Sequence, residues 1–181
     1  MYISNTAGEN ISKIGENKEI TEIKQIIGLE HGKNYTLNDV QNKLRYGKVL
    51  FMTDQDLDGS HIKGLGINLF DAEWQTLLNI PDFIGFMNTP ILKAKKGKTE
   101  LLFYNDGEYE KWKTENSTSG WKIKYYKGLG TSTPQEAKQY FNPPRIIEYC
   151  STNETDDNAM MLAFSKNDNS ADLRKEWLGN Y

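Results

Sequence analysis

Val49-Leu50-Phe51-Met52-Thr53-Asp54-Gln55-Asp56-Leu57-Asp58-Gly59 joins an apolar run of strand length to three carboxylates spaced two apart. In an extended backbone side chains alternate between faces, so Asp54 and Asp56 point the same way. Asp58 joins them only if the chain stays extended, and Gly59 invites a turn. Clustered carboxylates repel and partly protonate unless a cation neutralises them. Hard oxygen ligands at a strand end suit Mg2+, which keeps several waters and shares its site with phosphate. The pattern points to a Mg2+ site for phosphoryl chemistry.

Other readings compete with this one. Asp54, Asp56, Asp58 and Gly59 match the first half of an EF-hand loop, but the twelfth position is Leu65 and not Glu, and the preceding segment reads as a strand. A phosphatase of the haloacid-dehalogenase type also ends a strand in Asp-x-Asp. There the next alternate position is usually Thr or Val, whereas here it is Asp58; this stays as the alternative enzyme. A solvated acidic turn is the bland reading, and a non-catalytic surface that docks DNA or partner domains is a further one.

Gly59 is followed by Ile62, Leu65, Leu69 and Trp74, which fall roughly on one helical face and predict a helix to about Asn79. His61 alone is an ordinary helix-start histidine; beside a Mg2+ site, His61 and Lys63 can meet a phosphate at the helix N-terminus. Upstream, Ile20, Ile23, Ile26, Ile27 and Leu29 predict an amphipathic helix ending between Gly28 and Gly32. Thr36-Leu37-Asn38-Asp39 has the spacing of a capping box. Downstream, short strands are predicted over Phe83–Asn88, Ile91–Lys95 and Thr99–Tyr104, with a Lys96-Gly97-Lys98 turn, then a helix over Asp106–Glu115. Trp121 to Lys127 alternates as a strand. Thr133 caps a helix begun by Pro134 and running to about Phe141. Thr152 to Asn158 reads as a loop, with helices over Met160–Phe164 and Ala171–Leu178. Alternating strands and helices predict an α/β fold with a mainly parallel sheet.

Between strand and helix lies Tyr126-Lys127-Gly128-Leu129-Gly130. Gly128 and Gly130 let backbone approach a ligand closely, and Lys127 supplies a point charge for phosphate. A bare Gly-x-Gly is equally a tight turn. Tyr125, Tyr126 and Tyr149 read as packing residues, and Lys48, Lys63, Lys93, Lys95, Lys96 and Lys98 as solubilising ones.

The totals narrow the classes. With 181 residues, one domain with a small appendage is expected. The 12% aromatic content argues against wholesale disorder, and a net charge of −3 confines any nucleic-acid role to local basic patches. The single Cys150 excludes an internal disulfide and fits a reducing compartment. No apolar run reaches membrane-spanning length, and Met1-Tyr2-Ile3-Ser4 lacks a signal-peptide pattern.

In this order the strings resemble the metal-binding (TOPRIM) region of type II DNA topoisomerases of the eukaryotic type. The resemblance is carried by Ile26-Ile27-Gly28-Leu29, Leu44-Arg45-Tyr46-Gly47-Lys48, Met52 to Leu65, Thr89-Pro90-Ile91, Lys124 to Ser132, Ala163-Phe164-Ser165-Lys166 and Asp172 to Leu178. It implies a Rossmann-like TOPRIM fold with a mainly parallel sheet flanked by helices and a small β-containing insertion. Residues 1–13 would be a flexible lead-in, 14–150 an incomplete TOPRIM domain with the insertion near 83–127, and 151–181 a helical segment leading to the DNA gate. It implies a role in double-strand passage by transesterification, with Asp54 and Asp56 catalytic and Asp54, Asp56 and Asp58 holding Mg2+. Lys166, Asn167, Lys127, His61 and Lys63 become DNA-side residues; Asn167 stands where the family often carries a second lysine. The family's first-strand Glu within Glu-Gly-Asp-Ser-Ala, its nucleophilic tyrosine and its ATPase domain are not among these residues. The resemblance therefore implies a fragment or subunit, inactive alone, that joins further domains, a homodimer and double-stranded DNA. ATP enters only through other domains, and the nucleus is the expected location if the source is eukaryotic, otherwise the cytoplasm.

Overall fold

The computed structural model describes residues 15–151, 154–165 and 169–180; the expected lead-in over 1–13 lies outside them. The chain is α/β and divides into two compact units. One comprises Met1–Val49, Gly64–Ile84 and Glu148–Tyr181; the other comprises Leu50–Lys63 and Gly85–Ile147.

In the first unit, α1 (Lys18–Ile27) starts where the Asn17 side chain accepts the Ile20 N–H (2.9 Å) and ends at Gly28, whose φ of 89° suits glycine. α2 (Leu37–Asn42) carries the expected capping box: Thr36 and Asp39 satisfy each other's backbone N–H groups. The longest helix, α3 (Leu57–Leu78), contributes its later residues to this unit and breaks helical geometry at Trp74 (φ −149°, ψ 52°). Around that break three side chains reach the 30–35 loop. Glu73 pairs with His31 (2.5 Å), the Trp74 indole donates to the Glu30 carbonyl (2.8 Å), and Thr76 accepts the Tyr35 N–H (2.8 Å). Phe70, Trp74, Leu77, Leu78 and Phe83 are buried, with Phe70 edge-on to Phe83. Each such side chain contributes roughly 1.5–3 kcal/mol on burial. A surface pair such as Lys18–Glu22 gives at most about 1 kcal/mol, so apolar burial decides the stability.

Two three-stranded sheets occur among the described residues. One has the order β1 (Val49–Phe51), β2 (Ile84–Met87), β6 (Ile146–Tyr149). The other places β3 (Leu92–Lys96) between β4 (Thr99–Phe103) and β5 (Lys122–Tyr125), antiparallel to both. Where a mainly parallel sheet with a small β-containing insertion was expected, there are two small sheets, and the one built from β3, β4 and β5 is wholly antiparallel. Between β3 and β4 the cause is local: Lys96-Gly97-Lys98 turns the chain straight back, with Gly97 at φ 59°. Behind this sheet α4 (Asp106–Glu115) brings Tyr109 onto Leu92, Ala94 and Phe103. Trp112 and Trp121 pack edge to face at 5.2 Å.

Several expectations move. β1 stops at Phe51, short of Thr53. α3 starts at Leu57, before Gly59, and Ile62 on its expected inner face is exposed. The region after Pro143-Pro144 forms β6, which the sequence did not announce. α6 (Glu154–Phe164) occupies most of the expected 152–158 loop, and α7 (Ser170–Gly179) follows. The acids Glu154, Asp156 and Asp157 lie in the first turn of α6, where negative charge favours a helix. Among the described residues no helix is long and apolar enough to cross a membrane.

Candidate functional site

Asp54 follows β1 and is half-buried. Its Oδ1 accepts the Leu129 N–H at 2.7 Å. Gly128 lies against the same carboxylate: a Cβ there would meet Asp54 Oδ2 at 2.7 Å and Cγ at 2.9 Å. The Gly128-Leu129 backbone thus approaches a carboxylate of the protein itself, where the sequence suggested a ligand. A 3₁₀ turn over Leu129–Thr131 and α5 (Pro134–Tyr140) follow.

Asp56 is exposed and acts as an N-cap. Its Oδ1 accepts the Gly59 N–H (2.7 Å), and its carbonyl accepts the Ser60 N–H (3.0 Å). Asp58 is exposed in the first turn of α3. Helix geometry there turns Asp58 out of the alternation that would align it with Asp54 and Asp56. Gly59 is required by packing, because a Cβ would sit 1.9 Å from the Asp54 carbonyl oxygen. Thr53, buried, donates to the Gly59 carbonyl (3.1 Å) and closes the turn.

The remaining predicted residues divide. Lys63 is half-buried, donates to Gln55 Oε1 (3.4 Å) and lies over the Phe86 ring. Gln55 in turn donates to the Met87 carbonyl (3.3 Å). His61 and Lys127 are exposed. Lys166 and Asn167 lie outside the described residues. Of the solubilising lysines, Lys48 pairs with Asp82, Lys93 with Glu136 and Lys95 with Glu100. Asp54, Gln55, Thr89, Pro90, Tyr126, Gly128, Leu129 and Ser132 line a small concavity beside the acids.

Sequence reasoning missed Glu136. It is buried and accepts from Lys93, Lys124, Tyr126 and the Thr133 N–H. Burial pushes its carboxyl pKa up, but the hydrogen bonds from Lys124, Lys93, Thr133 and Tyr126 outweigh this and hold it well below the usual range. The Tyr126 phenol is pushed far up by burial and by its bond to Glu136. Burial also raises the Tyr149 phenol, assisted by Asp156 and Asp71. Both phenols stay protonated at neutral pH, as suits packing residues. The one available signal for Glu136 was its position three residues after Thr133, the capping-box spacing.

Does this donor set fit Mg2+? No group of three or more His, Cys, Asp or Glu side chains gathers into a metal site among the described residues. The donors are nevertheless hard carboxylates, and the backbone N–H bonds to Asp54 and Asp56 each fall on Oδ1, with Asp54 Oδ2 close beside the Gly128 backbone. Mg2+ is typically bound by one or two carboxylates together with water and phosphate, which this pair suits.

Residues 87–181 match the family described as the C-terminal associated domain of TOPRIM, just over half of the chain. The chain belongs to that family. It is 48% identical to DNA topoisomerase 2-alpha of Rattus norvegicus over 185 aligned residues, covering 99% of this chain and 12% of that protein. It is 47% identical to DNA topoisomerase 2 of Pisum sativum, covering 93% of this chain and 12% of the relative. Among solved structures it resembles the DNA-binding, cleavage and re-ligation domain of Plasmodium falciparum topoisomerase II. That likeness has a TM-score of 0.86 and 42% identity, over 99% of this chain and 24% of the other. This TOPRIM-associated chain therefore spans about an eighth of the length of the curated relatives it matches. None of these likenesses supports the haloacid-dehalogenase alternative.

Proposed function

We propose that this chain is the Mg2+-binding part of the DNA cleavage and religation centre of an ATP-dependent type II DNA topoisomerase. The single observation that carries the reading is the Leu129 N–H bond to Asp54. It joins the two strings that carry the family resemblance, Met52 to Leu65 and Lys124 to Ser132. In this reading the β1-β2-β6 sheet is the Rossmann-like TOPRIM part and the antiparallel sheet is the small insertion.

Asp54 and Asp56 would hold Mg2+, with Asp58 more peripheral. Bound there, the ion supplies charge stabilisation to a phosphate under attack and to the leaving oxygen. The chain's own residues orient the donors. Leu129 fixes which Asp54 oxygen stays open, and the Asp56 cap does the same for its carboxylate. Lys127, His61 and Lys63, together with Lys166 and Asn167, would face the DNA backbone, with Lys63 steadied by Gln55. In this reading the attacking tyrosine comes from another domain of the complete enzyme. Double-stranded DNA, a second copy of the enzyme and its ATP-driven domains are the partners, and the eukaryotic kinship argues for the nucleus.

The test uses Asp54→Asn and Asp56→Asn, which keep a side-chain oxygen for each backbone N–H and remove the charge. In the complete enzyme both should reduce Mg2+-supported DNA cleavage by at least a hundredfold, the scale of losing a metal's charge stabilisation, roughly 3 kcal/mol. The 181-residue chain alone should leave supercoiled plasmid unrelaxed. Full cleavage by both variants would sink the metal assignment.

A further inference from the structure

The loop from Tyr126 to Thr133 has both ends tied to one buried carboxylate. At one end the Tyr126 hydroxyl donates to Glu136 Oε1 (2.9 Å); at the other the Thr133 N–H donates to Glu136 Oε2 (2.9 Å). Glu136 is 7% exposed. It is held from outside its helix by Lys93 (2.5 Å) and Lys124 (2.7 Å). Those lysines are cross-strand partners on β3 and β5. Two ammonium groups directly opposite each other repel, and the Glu136 carboxylate between them relieves that repulsion by offsetting one of the two charges.

The middle of the loop has little freedom. Thr131 donates both its N–H (3.0 Å) and its hydroxyl (2.6 Å) to the Gly128 carbonyl, and the Ser132 N–H meets the Leu129 carbonyl (3.3 Å). The atoms so fixed are those that touch Asp54: the Leu129 N–H and the Gly128 backbone. A capping-box role would account for the Thr133 contact alone. It leaves unexplained why one carboxylate also gathers Tyr126, Lys93 and Lys124.

We propose that Glu136 is a positioning residue for Asp54: by anchoring both ends of the 126–133 loop it holds Leu129 and Gly128 against the Asp54 carboxylate and sets which oxygen faces the metal and the DNA phosphate. This rests on the reading of Asp54 as a metal-binding acid. Partners that orient a metal ligand in this way commonly change metal affinity by 10- to 100-fold when removed, roughly.

Two variants test it. Tyr126→Phe deletes one hydroxyl and leaves Glu136 three other donors, so the fold is kept; Glu136→Gln keeps the shape and removes the charge. In the complete enzyme both should raise the Mg2+ concentration for half-maximal DNA cleavage by roughly tenfold, with maximal cleavage recovered at saturating Mg2+. In the 181-residue chain, the Leu129 amide should lose protection from hydrogen exchange in both variants, while α4 amides keep theirs. Unchanged Leu129 protection with unchanged Mg2+ dependence in both overturns the proposal. Wild-type cleavage by Asp54→Asn overturns instead the reading of Asp54 beneath it, and the positioning role with it.

Discussion

Asp54 and Asp56 stand two residues apart, yet different parts of the molecule hold them. Asp54 is half-buried, and its Oδ1 is taken by Leu129, 75 positions along the chain. Asp56 is exposed, and its Oδ1 is taken by Gly59, three positions on. The first arrangement exists only when the 126–133 loop is in place; the second forms whenever α3 begins. A pair that alternation makes equivalent is thus one tertiary ligand and one local cap. A change in the loop should reach Asp54 and leave Asp56 as it was.

Substitutions at two glycines carry the largest expected losses of stability. In Gly59→Ala the new Cβ would sit 1.9 Å from the Asp54 carbonyl oxygen and 2.8 Å from its carbon. Both are backbone atoms and cannot swing aside. The loss should reach about 3 kcal/mol or more, at the upper end of overpacking costs, read as a fall in the urea midpoint of the 181-residue chain. In Gly128→Ala the Cβ meets the Asp54 carboxylate at 2.7–2.9 Å, a side chain that can rotate. Roughly 1–2 kcal/mol is expected there, with the Leu129 bond lost as Asp54 turns. The reverse order of damage would mean that Asp54 is the rigid partner and the turn the adaptable one.

The same division explains what the sequence made legible. Local chemistry was readable. The Thr36–Asp39 box, the Gly28 stop, the Pro134 start and the α4 bounds follow from neighbours within four residues. The family was readable too, because the Met52–Leu65 and Lys124–Ser132 strings are specific. Sheet direction was legible only at the Lys96-Gly97-Lys98 turn, which joins β3 to β4; the other pairings are fixed by contacts that alternation does not encode. β6 was hidden behind Pro143-Pro144 and mixed polarity. Asp58 was misaligned because the helix starts two residues early, once Asp56 caps it. Glu136 was missed, because Lys93 and Tyr126, 43 and 10 positions away, give it its weight.

At Asp56 the cap and the proposed metal ligand share one side chain. Asp56→Ala removes both and should cost about 1 kcal/mol of stability, the usual value of an N-cap. Asp56→Asn keeps an acceptor for the Gly59 N–H, and Asn caps about as well as Asp. Its thermal midpoint should stay near that of the unmodified chain while Mg2+-supported cleavage by the complete enzyme falls as far as in Asp56→Ala. Equal stability losses in the two variants would show that the cap depends on the charge and not on the hydrogen bond.

The smallest effect is expected two residues from one of the larger ones. Gly128 and Gly130 look alike as a Gly-x-Gly pair, but a Cβ on Gly130 meets nothing within 4 Å, and its φ is not in the left-handed region. Gly130→Ala should therefore change stability by no more than about 0.5 kcal/mol, or raise it slightly by stiffening the unfolded chain. Cleavage by the complete enzyme should be unaffected, and the Leu129 amide should keep its protection. If Gly130→Ala instead costs as much as Gly128→Ala, the requirement at these glycines is freedom of the loop to move. Space beside the Asp54 carboxylate would then no longer explain why Gly128 is a glycine.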